Sequence, residues 1–530
     1  MTDEAERVDA GEGAAGAASG AGRREDRRQT VGVAIALFVL TFAVYWLLGP
    51  QRTPYDFQLS QANNMIHGHL EMTEQYTHNL GILERVLYDG IGFCLPADDP
   101  RGPERAADLP PGTRFTDNCR HYMQHSLGPA LMLVPLAMLW GLDVNQTLIS
   151  VIVAALTSLF VFAITRRFSD RLLVQVALTA LAMFGTILWW VGANGGVWFF
   201  AHTTAVFFLF ASIWATVVRR SPLMAGLFIG AAFMCRPTTI LAGVFPLIVF
   251  SEQWLVGWSE RVPPWRRIRL GPLVQLAAGV TPFVLLTGAL NLGRFNSPFE
   301  SGYNYTEQLY QISLAWRWPH GFFDISYLGR HVQVVFEQMP NVASQGSYVW
   351  PSWSGLAMWA TTPAFLYGLF IHLRRLRRVT VVAAFVLAAA CLMLLVRGIA
   401  TGLGLGGYWA TEEIPFSLHL LPFWLLIGAA VAGSILARDR LAFGAWAAIL
   451  VVSFADWLFA ATGWAQFGYR YGLDFTPFLW LLVVLAVGRG PLRWHHWALI
   501  GLAVLVNLWG VLWIYKFDPV DLFGWTWVSY

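Results

Sequence analysis

Charge is scarce in this chain: Asp, Glu, Lys and Arg together make up 13% of its 530 residues. A soluble domain carries roughly 25%, so a chain wrapped in water along its whole length is excluded. Lysine is almost missing; Lys516 is the only one, and arginine carries nearly all the positive charge. There are four cysteines, and they show no Cys/His spacing of the zinc kind. A P-loop and a G-x-G-x-x-G dinucleotide signature are also missing. No polar stretch is long enough to form a soluble domain around a nucleotide, and no nucleic acid is expected as a partner.

What is present is apolar. Hydrophobic residues make up 56% of the chain, in blocks of roughly 14 to 22, the length that crosses about 30 Å of hydrocarbon. The 26 tryptophans gather near block ends, as interfacial belts do. Blocks at 31–49, 146–165, 172–191, 199–218, 222–235, 238–251 and 272–291 read as spans. Those at 354–372, 379–397, 416–437, 441–462, 475–488 and 494–514 follow. The expected fold is an all-α polytopic membrane protein with about 13 transmembrane helices. Residues 1–29 are Ala/Gly-rich and charged and read as a disordered cytoplasmic tail. The block Val31–Gly49 is too long for a signal-peptide core and no small-residue cleavage site follows it, so it reads as a retained first span.

Arginine sets the expected orientation. Arg23, Arg24, Arg27 and Arg28 precede the first span, which places the N-terminus in the cytoplasm. Arg166, Arg167 and Arg171, then Arg219 and Arg220, fall in loops expected on the same side. So do Arg261, Arg266, Arg374, Arg375, Arg438 and Arg489. The two long polar loops, 50–125 and 292–353, and the C-terminus are then extracytoplasmic. If Leu127–Leu142 crossed, every later Arg-rich loop would face outward, so this segment reads as a helix on the membrane surface or dipping into it. The chain thus divides into the tail, a seven-span module at 30–291, the second loop at 292–353 and a six-span module at 354–530. A multi-pass protein of the cell (plasma or inner) membrane follows.

Cys94 and Cys119 lie in the first outer loop, on the oxidising side, where a disulfide persists. A bridge there contributes about 3 kcal/mol in the entropic model; two free thiols are the alternative. Cys235 and Cys391 fall in spans and read as packing residues.

Few polar residues sit where membrane chemistry would need them. Asp56 follows the first span closely, within reach of a substrate whose tail stays in the bilayer. A low-dielectric setting would raise its pKa toward that of a useful general base; an N-cap for 57–67 is the alternative. Arg470 and Asp474 precede a late span, as a phosphate-binding fork or as an i,i+4 ion pair. Arg236 stands before helix-breaking Pro237 at an outer turn, where an arginine must face protein, water or lipid phosphate. Asp456 lies inside a span, functional or paired with a group such as Arg470. His202 opens a span as a cap, an interfacial residue or a site residue. Asp98 and Asp99 read as solvated loop, and no D-x-D precedes the second span.

The order of elements resembles the polytopic C superfamily of glycosyltransferases (the GT-C fold), in which large outer loops follow spans 1 and 7. The stretches that carry the resemblance are Asp56 with Ala62 and Gly68, Tyr122-Met-Gln-His-Ser-Leu-Gly-Pro, and Ala201-His202. Gly230-Ala-Ala-Phe-Met-Cys-Arg-Pro, Phe295-Asn-Ser-Pro-Phe-Glu-Ser-Gly-Tyr and Phe467-Gly-Tyr-Arg-Tyr-Gly-Leu-Asp-Phe-Thr-Pro-Phe complete it. They are similar to a bacterial branch, which also resembles the dolichyl-phosphate-mannose protein mannosyltransferases. The resemblance implies a donor sugar on a polyprenyl phosphate, with Asp56 as the base. It implies donor-phosphate contacts from Arg236 and Arg470, with His202 beside them. Glu300 and Tyr303 fall in its second-loop motif and, with Asp456 and Asp474, are candidate acceptor-side or structural residues. Several relatives carry a paired acid; Ala193-Asn-Gly-Gly-Val has none, which leaves Glu71 as the nearest partner and a divalent metal open.

The implied reaction is an inverting transfer to a glycan, lipid or protein acceptor in the cell envelope. Asp56 takes the acceptor proton and the polyprenyl phosphate departs with its charge held by arginine. Two other functions stay open: a lipid or solute transporter without chemistry, and a non-catalytic scaffold. No internal repeat of the transporter kind is evident, and the polar mass lies in the outer loops.

Overall fold

The computed structural model describes residues 28–78, 92–96, 119–255, 269–304, 319–342, 349–351, 355–373, 376–401, 419–463 and 466–516. They form an all-α body with two short β-ribbons, Gly92–Pro96 paired with Cys119–Met123 and Asn341–Val342 paired with Val349–Trp350. Seven helices among them are long and apolar enough to cross a membrane. They are Arg28–Leu48, Gln146–Phe168, Val197–Arg219, Leu270–Phe295, Arg377–Gly398, Arg440–Trp457 and Trp494–Tyr515. Leu172–Phe184 and Leu188–Asn194 make an eighth if taken as one span bent by 57°.

The expected count of 13 is therefore corrected to seven or eight, and the reason is local. Pro222–Cys235 has 14 residues, about 21 Å of helix, and Pro237 then restarts the chain as a 3₁₀ turn over Pro237–Gly243. The block 354–372 breaks into Met358–Thr361 and a 3₁₀ stretch, Pro363–Phe370. Leu421–Leu436 and Thr476–Val487 have 16 and 12 residues. Apolar composition runs through all of these blocks, but a continuous helix does not. The segment expected on the membrane surface is the short helix Gly128–Trp140. Its Ala130, Leu133 and Ala137 pack on Leu59 and Ala62, while Met138, Leu139 and Trp140 are exposed.

The expected Cys94–Cys119 bridge is not seen. Register sets Cys94 opposite His121 and Cys119 opposite Pro96, so the two cysteines occupy diagonal positions. Diagonal pairs hold their backbones about 7–8 Å apart, beyond the usual disulfide reach of roughly 4.4–6.8 Å. The cysteine side chains themselves lie outside the described residues.

Pro222–Cys235 and the following Pro237–Trp254 segment make a helical hairpin with Arg236 at its apex. Its base is closed by an ion pair between Arg220 and Glu252, and Arg440 joins that pair at 2.8 Å. The hairpin packs on Leu270–Phe295 at backbone distance. A Cβ on Gly226 would come within 2.1 Å of the Leu276 carbonyl oxygen, and one on Gly279 within 2.5 Å of the Leu227 nitrogen. Small residues of this kind let apolar helices approach closely.

The body has two distinct ends. Val197–Arg219 runs from His202, near its start, to the Arg219–Arg220 end, and Arg440–Trp457 runs the opposite way, from Arg440 to Asp456. At the Asp456 end, Gly49 abuts Ala193 and the Tyr515 hydroxyl donates to the Trp190 carbonyl. The first and the last long helices therefore finish at the same end. In Leu270–Phe295 only 6% of the most apolar window is buried, and in Arg377–Gly398 17%. Apolar faces this open need lipid or another apolar partner.

Candidate functional site

Asp56 begins the helix Phe57–Ile66, a helix that is polar in sequence and yet buried from Phe57 to Asn64. Its amides hold the chain that folds back over it. Asn64 Nδ2 donates to the Tyr76 carbonyl at 3.1 Å and to Thr77 Oγ1 at 3.0 Å. Asn64 Oδ1 accepts from the Thr73 backbone N–H at 2.9 Å, and Asn63 Nδ2 donates to the Tyr76 carbonyl at 3.2 Å. Ser60 Oγ accepts from the His78 N–H at 3.1 Å. Together these bonds set His78 against Asp56, with Nδ1 3.1 Å from Oδ2.

Two further bonds tie this corner to the long helices. Gln146 Oε1 accepts from the Leu59 N–H at 2.8 Å, and the Val197 N–H donates to the Tyr55 carbonyl at 3.0 Å. Asp56 holds the N-cap position of this helix, and its side chain makes no cap bond. Oδ1 is buried without a hydrogen-bond partner. Burial pushes the carboxyl above the usual carboxylate range, and the hydrogen bond and charge of His78 pull it part of the way back.

Other buried polar atoms nearby also lack partners: both amide atoms of Gln58, Gln124 Oε1 and His125 Nε2. Orphaned buried polar atoms are rare in folded proteins and mark places where a ligand or water belongs. Burial, with the charges of Arg236 and Arg470, holds His125 down to about 3, so it is neutral at pH 7.

At the hairpin apex, Arg236 Nε donates to Asp474 at 2.8 Å and 2.7 Å from the two carboxylate oxygens. Thr238 Oγ1 donates to the same carboxylate at 3.0 Å, and His202 Nδ1 lies 3.4 Å from it. Burial works against the Asp474 carboxylate, but Arg236 and His202 outweigh it and hold its pKa below the usual range. Asp456 lies 4.0 Å from Arg236 Nη2, with Oδ2 unpartnered. The i,i+4 pair expected as the alternative for Arg470 and Asp474 does not form, because Asp474 is taken by Arg236. Nor does Asp456 pair with Arg470; it faces Arg236. The Arg470 guanidinium carbon sits 5.7 Å and 5.4 Å from the ring centres of Phe199 and Tyr471.

The remaining candidates lie apart from this cluster or at its edge. Glu71 meets His69 at 3.3 Å rather than Asp56. Burial raises its pKa, but hydrogen bonds from the backbone and His69 leave it lowered overall. Glu300 closes its own loop, accepting from the Gly302 N–H at 2.7 Å and from Asn304 at 2.6 Å. Tyr303 stacks edge-on with Phe322 and Phe459 and feels the charge of Arg236. Among the described residues, no three His, Cys, Asp or Glu side chains stand close enough to share a metal ion.

Sequence reasoning passed over His78, Gln58, Gln124, His125 and Arg294. Gln124 and His125 belong to the Tyr122-Met-Gln-His stretch, and Arg294 directly precedes the Phe295-Asn-Ser stretch, so all three were within reach. His78 gave no signal, because only the Asn64 and Ser60 bonds bring it to Asp56. Compared with known family models, curated proteins and solved structures, the chain matches none, and the comparisons place it in no family.

Proposed function

We propose that this chain is a membrane glycosyltransferase that moves a sugar from a polyprenyl-phosphate donor to a hydroxyl acceptor, with Asp56 as the general base. The observation that carries this reading is the Asp56 carboxylate. It is buried, one oxygen is held by His78 and the other has no partner. Its pKa is raised toward the value a base needs at neutral pH.

In this reading the free oxygen takes the acceptor proton as the hydroxyl oxygen attacks the anomeric carbon, and the bond to the carrier phosphate breaks with its electrons on phosphate. A phosphate leaving group needs little protonation, so one base suffices. Arg236 is neutralised by Asp474, which moves its role from direct phosphate contact to holding the site together. Arg470 remains the donor-side candidate. The end that carries Asp56, Arg236 and Asp474 faces the extracytoplasmic side, opposite the Arg220–Glu252–Arg440 end, as the arginine distribution directs.

The test is transfer from a panel of polyprenyl-phosphate sugars by the purified chain and by Asp56→Asn. Transfer by the wild type and its loss in the variant support the assignment; equal turnover removes Asp56 as the base. The 57° break between Leu172–Phe184 and Leu188–Asn194 favours a second reading, a transporter, whose helices are commonly broken. Flux of a labelled lipid or solute across vesicles, with no transfer from any donor, would select it.

A further inference from the structure

The helix Leu270–Phe295 has 26 residues, about 39 Å of rise, more than the roughly 30 Å of hydrocarbon in a bilayer. Counted from its Arg269 end, about 20 residues use up that thickness, which puts the far boundary near Leu290. The chain leaves the helix through Asn296, whose φ of 54° is left-handed and reverses its direction. It then runs back along the helix instead of away from it. A Cβ on Gly288 would meet the Pro298 Cβ at 3.5 Å, and Asn291 Nδ2 donates to the Pro298 carbonyl at 3.4 Å. From Phe295 to the level of Gly288 is a descent of about 10 Å, which brings Pro298 and Phe299 to that boundary.

The face they land on is the open one. Leu285, Gly288 and Leu292 follow i, i+3, i+7 spacing and share one side of the helix, and the two leucines are 67% and 51% exposed. Pro298 sits over the glycine between them, and Phe299 at the tip is 95% exposed. The corner also meets its own polar needs, as the edge of the hydrocarbon demands. Pro298 has no N–H to satisfy. The Phe299 N–H donates to Ser297 Oγ at 3.4 Å, the Asn296 N–H donates to the Leu292 carbonyl at 3.0 Å, and the Glu300 carboxylate accepts from Gly302 and Asn304. A second copy of the chain would need a broad self-complementary patch. A single projecting ring on a helix already open along its length fits acyl chains instead.

We infer that this corner is an interfacial anchor: Phe299 seats among the phospholipid acyl chains of the adjoining leaflet and pins the start of the 292–353 loop to the membrane surface. The anchor goes beyond the glycosyl-transfer reading and needs no reaction. It also fixes the depth of the segment that follows, where Tyr303 packs edge-on with Phe322 and Phe459.

The experiment is Phe299→p-benzoylphenylalanine in the full chain, irradiated in vesicles of phosphatidylcholine and phosphatidylglycerol. Mass spectrometry should find the peptide carrying position 299 heavier by one phospholipid, and the same replacement at Leu285 should give the same shift. An adduct at 285 with none at 299 overturns the anchor, and a crosslink from 299 to a second chain overturns it in favour of a dimer. Amide exchange in the same vesicles supplies a second readout. Phe299→Ser should quicken exchange over residues 301–304 by about tenfold or more, as loss of one buried aromatic side chain does, and Phe299→Leu should stay near wild type. Unchanged exchange in Phe299→Ser overturns the pinning. Neither readout involves transfer, so a failed anchor and a failed reaction are told apart.

Discussion

The base and the apex of the 222–254 hairpin are both closed by arginine–carboxylate pairs, and the two closures differ in kind. At the base, the side chains of Arg220, Glu252 and Arg440 are 50%, 43% and 46% exposed. Water screens such pairs to about 0–1 kcal/mol. At the apex, Asp474 is fully buried and Arg236 is 18% exposed, and the two charges meet at 2.7 Å. Removing one partner of a buried pair typically costs about 3–5 kcal/mol, mostly as the penalty on the charge left behind. The same chemistry is a surface latch at one end of the molecule and a keystone at the other, and solvent makes the difference.

The largest expected effect tests that contrast directly. Asp474→Ala should destabilise the protein by about 3–5 kcal/mol, because it removes the nearer of the two carboxylates at Arg236 and the acceptor of Thr238. Thermal unfolding in detergent measures it, and a loss no greater than that of Glu252→Ala would erase the distinction between the two ends.

Next comes the base. Asp56→Asn should lower transfer by at least about 10²-fold, the lower range for general base catalysis, in a single-turnover assay with a lipid-linked sugar. The acid limb of the wild-type pH profile sharpens the same point. The Asp56 pKa is raised, so the base form is lost, and transfer falls, at a higher pH than for an ordinary carboxylate.

A smaller effect of the opposite sign follows from linkage. The fold binds the Asp56 proton more tightly than the unfolded chain does, so its contribution is fully present below the ordinary carboxylate pKa and is lost as pH rises through the raised one. At pH 7, Asp56→Asn should therefore melt no lower than wild type, whereas a purely structural carboxylate would melt lower once replaced. The smallest effect is at the base of the hairpin. Glu252→Ala should shift stability by less than about 1 kcal/mol, and high salt should shrink the difference further.

The long helices were legible from composition, because a block such as 272–291 or 494–514 is both apolar and unbroken. The short ones were not. Pro237 and Pro363 each start a new helical segment and Pro477 stands second in another, so blocks of similar hydropathy become pieces of different length. Asp56 could be singled out because a carboxylate beside a span is rare. Its surroundings could not, since His78 reaches it through a turn fixed by Asn64 and Ser60 rather than by any spacing. Arg236 was legible as a special arginine, but its partner was not; that pairing joins residues from distant parts of the chain, and no local pattern encodes it.

This last feature bears on how the site is assembled. The Asp56–His78 contact closes a loop of 22 positions, whereas the Arg236–Asp474 contact closes one of 238. Short loops close early and at little entropic cost, and long ones wait for the chain between them. During synthesis the local bonds of the proton-accepting corner, from Asn64 and Ser60 to the return segment, can therefore form well before the apex lock. The apex lock closes only when residue 474 has emerged. Until then Arg236 lacks the carboxylate it binds most closely, and Thr238 beside it lacks its acceptor. Chains truncated before Asp474 should retain the first corner while their hairpin tip stays open to proteases, a difference in timing written into one molecule by sequence distance alone.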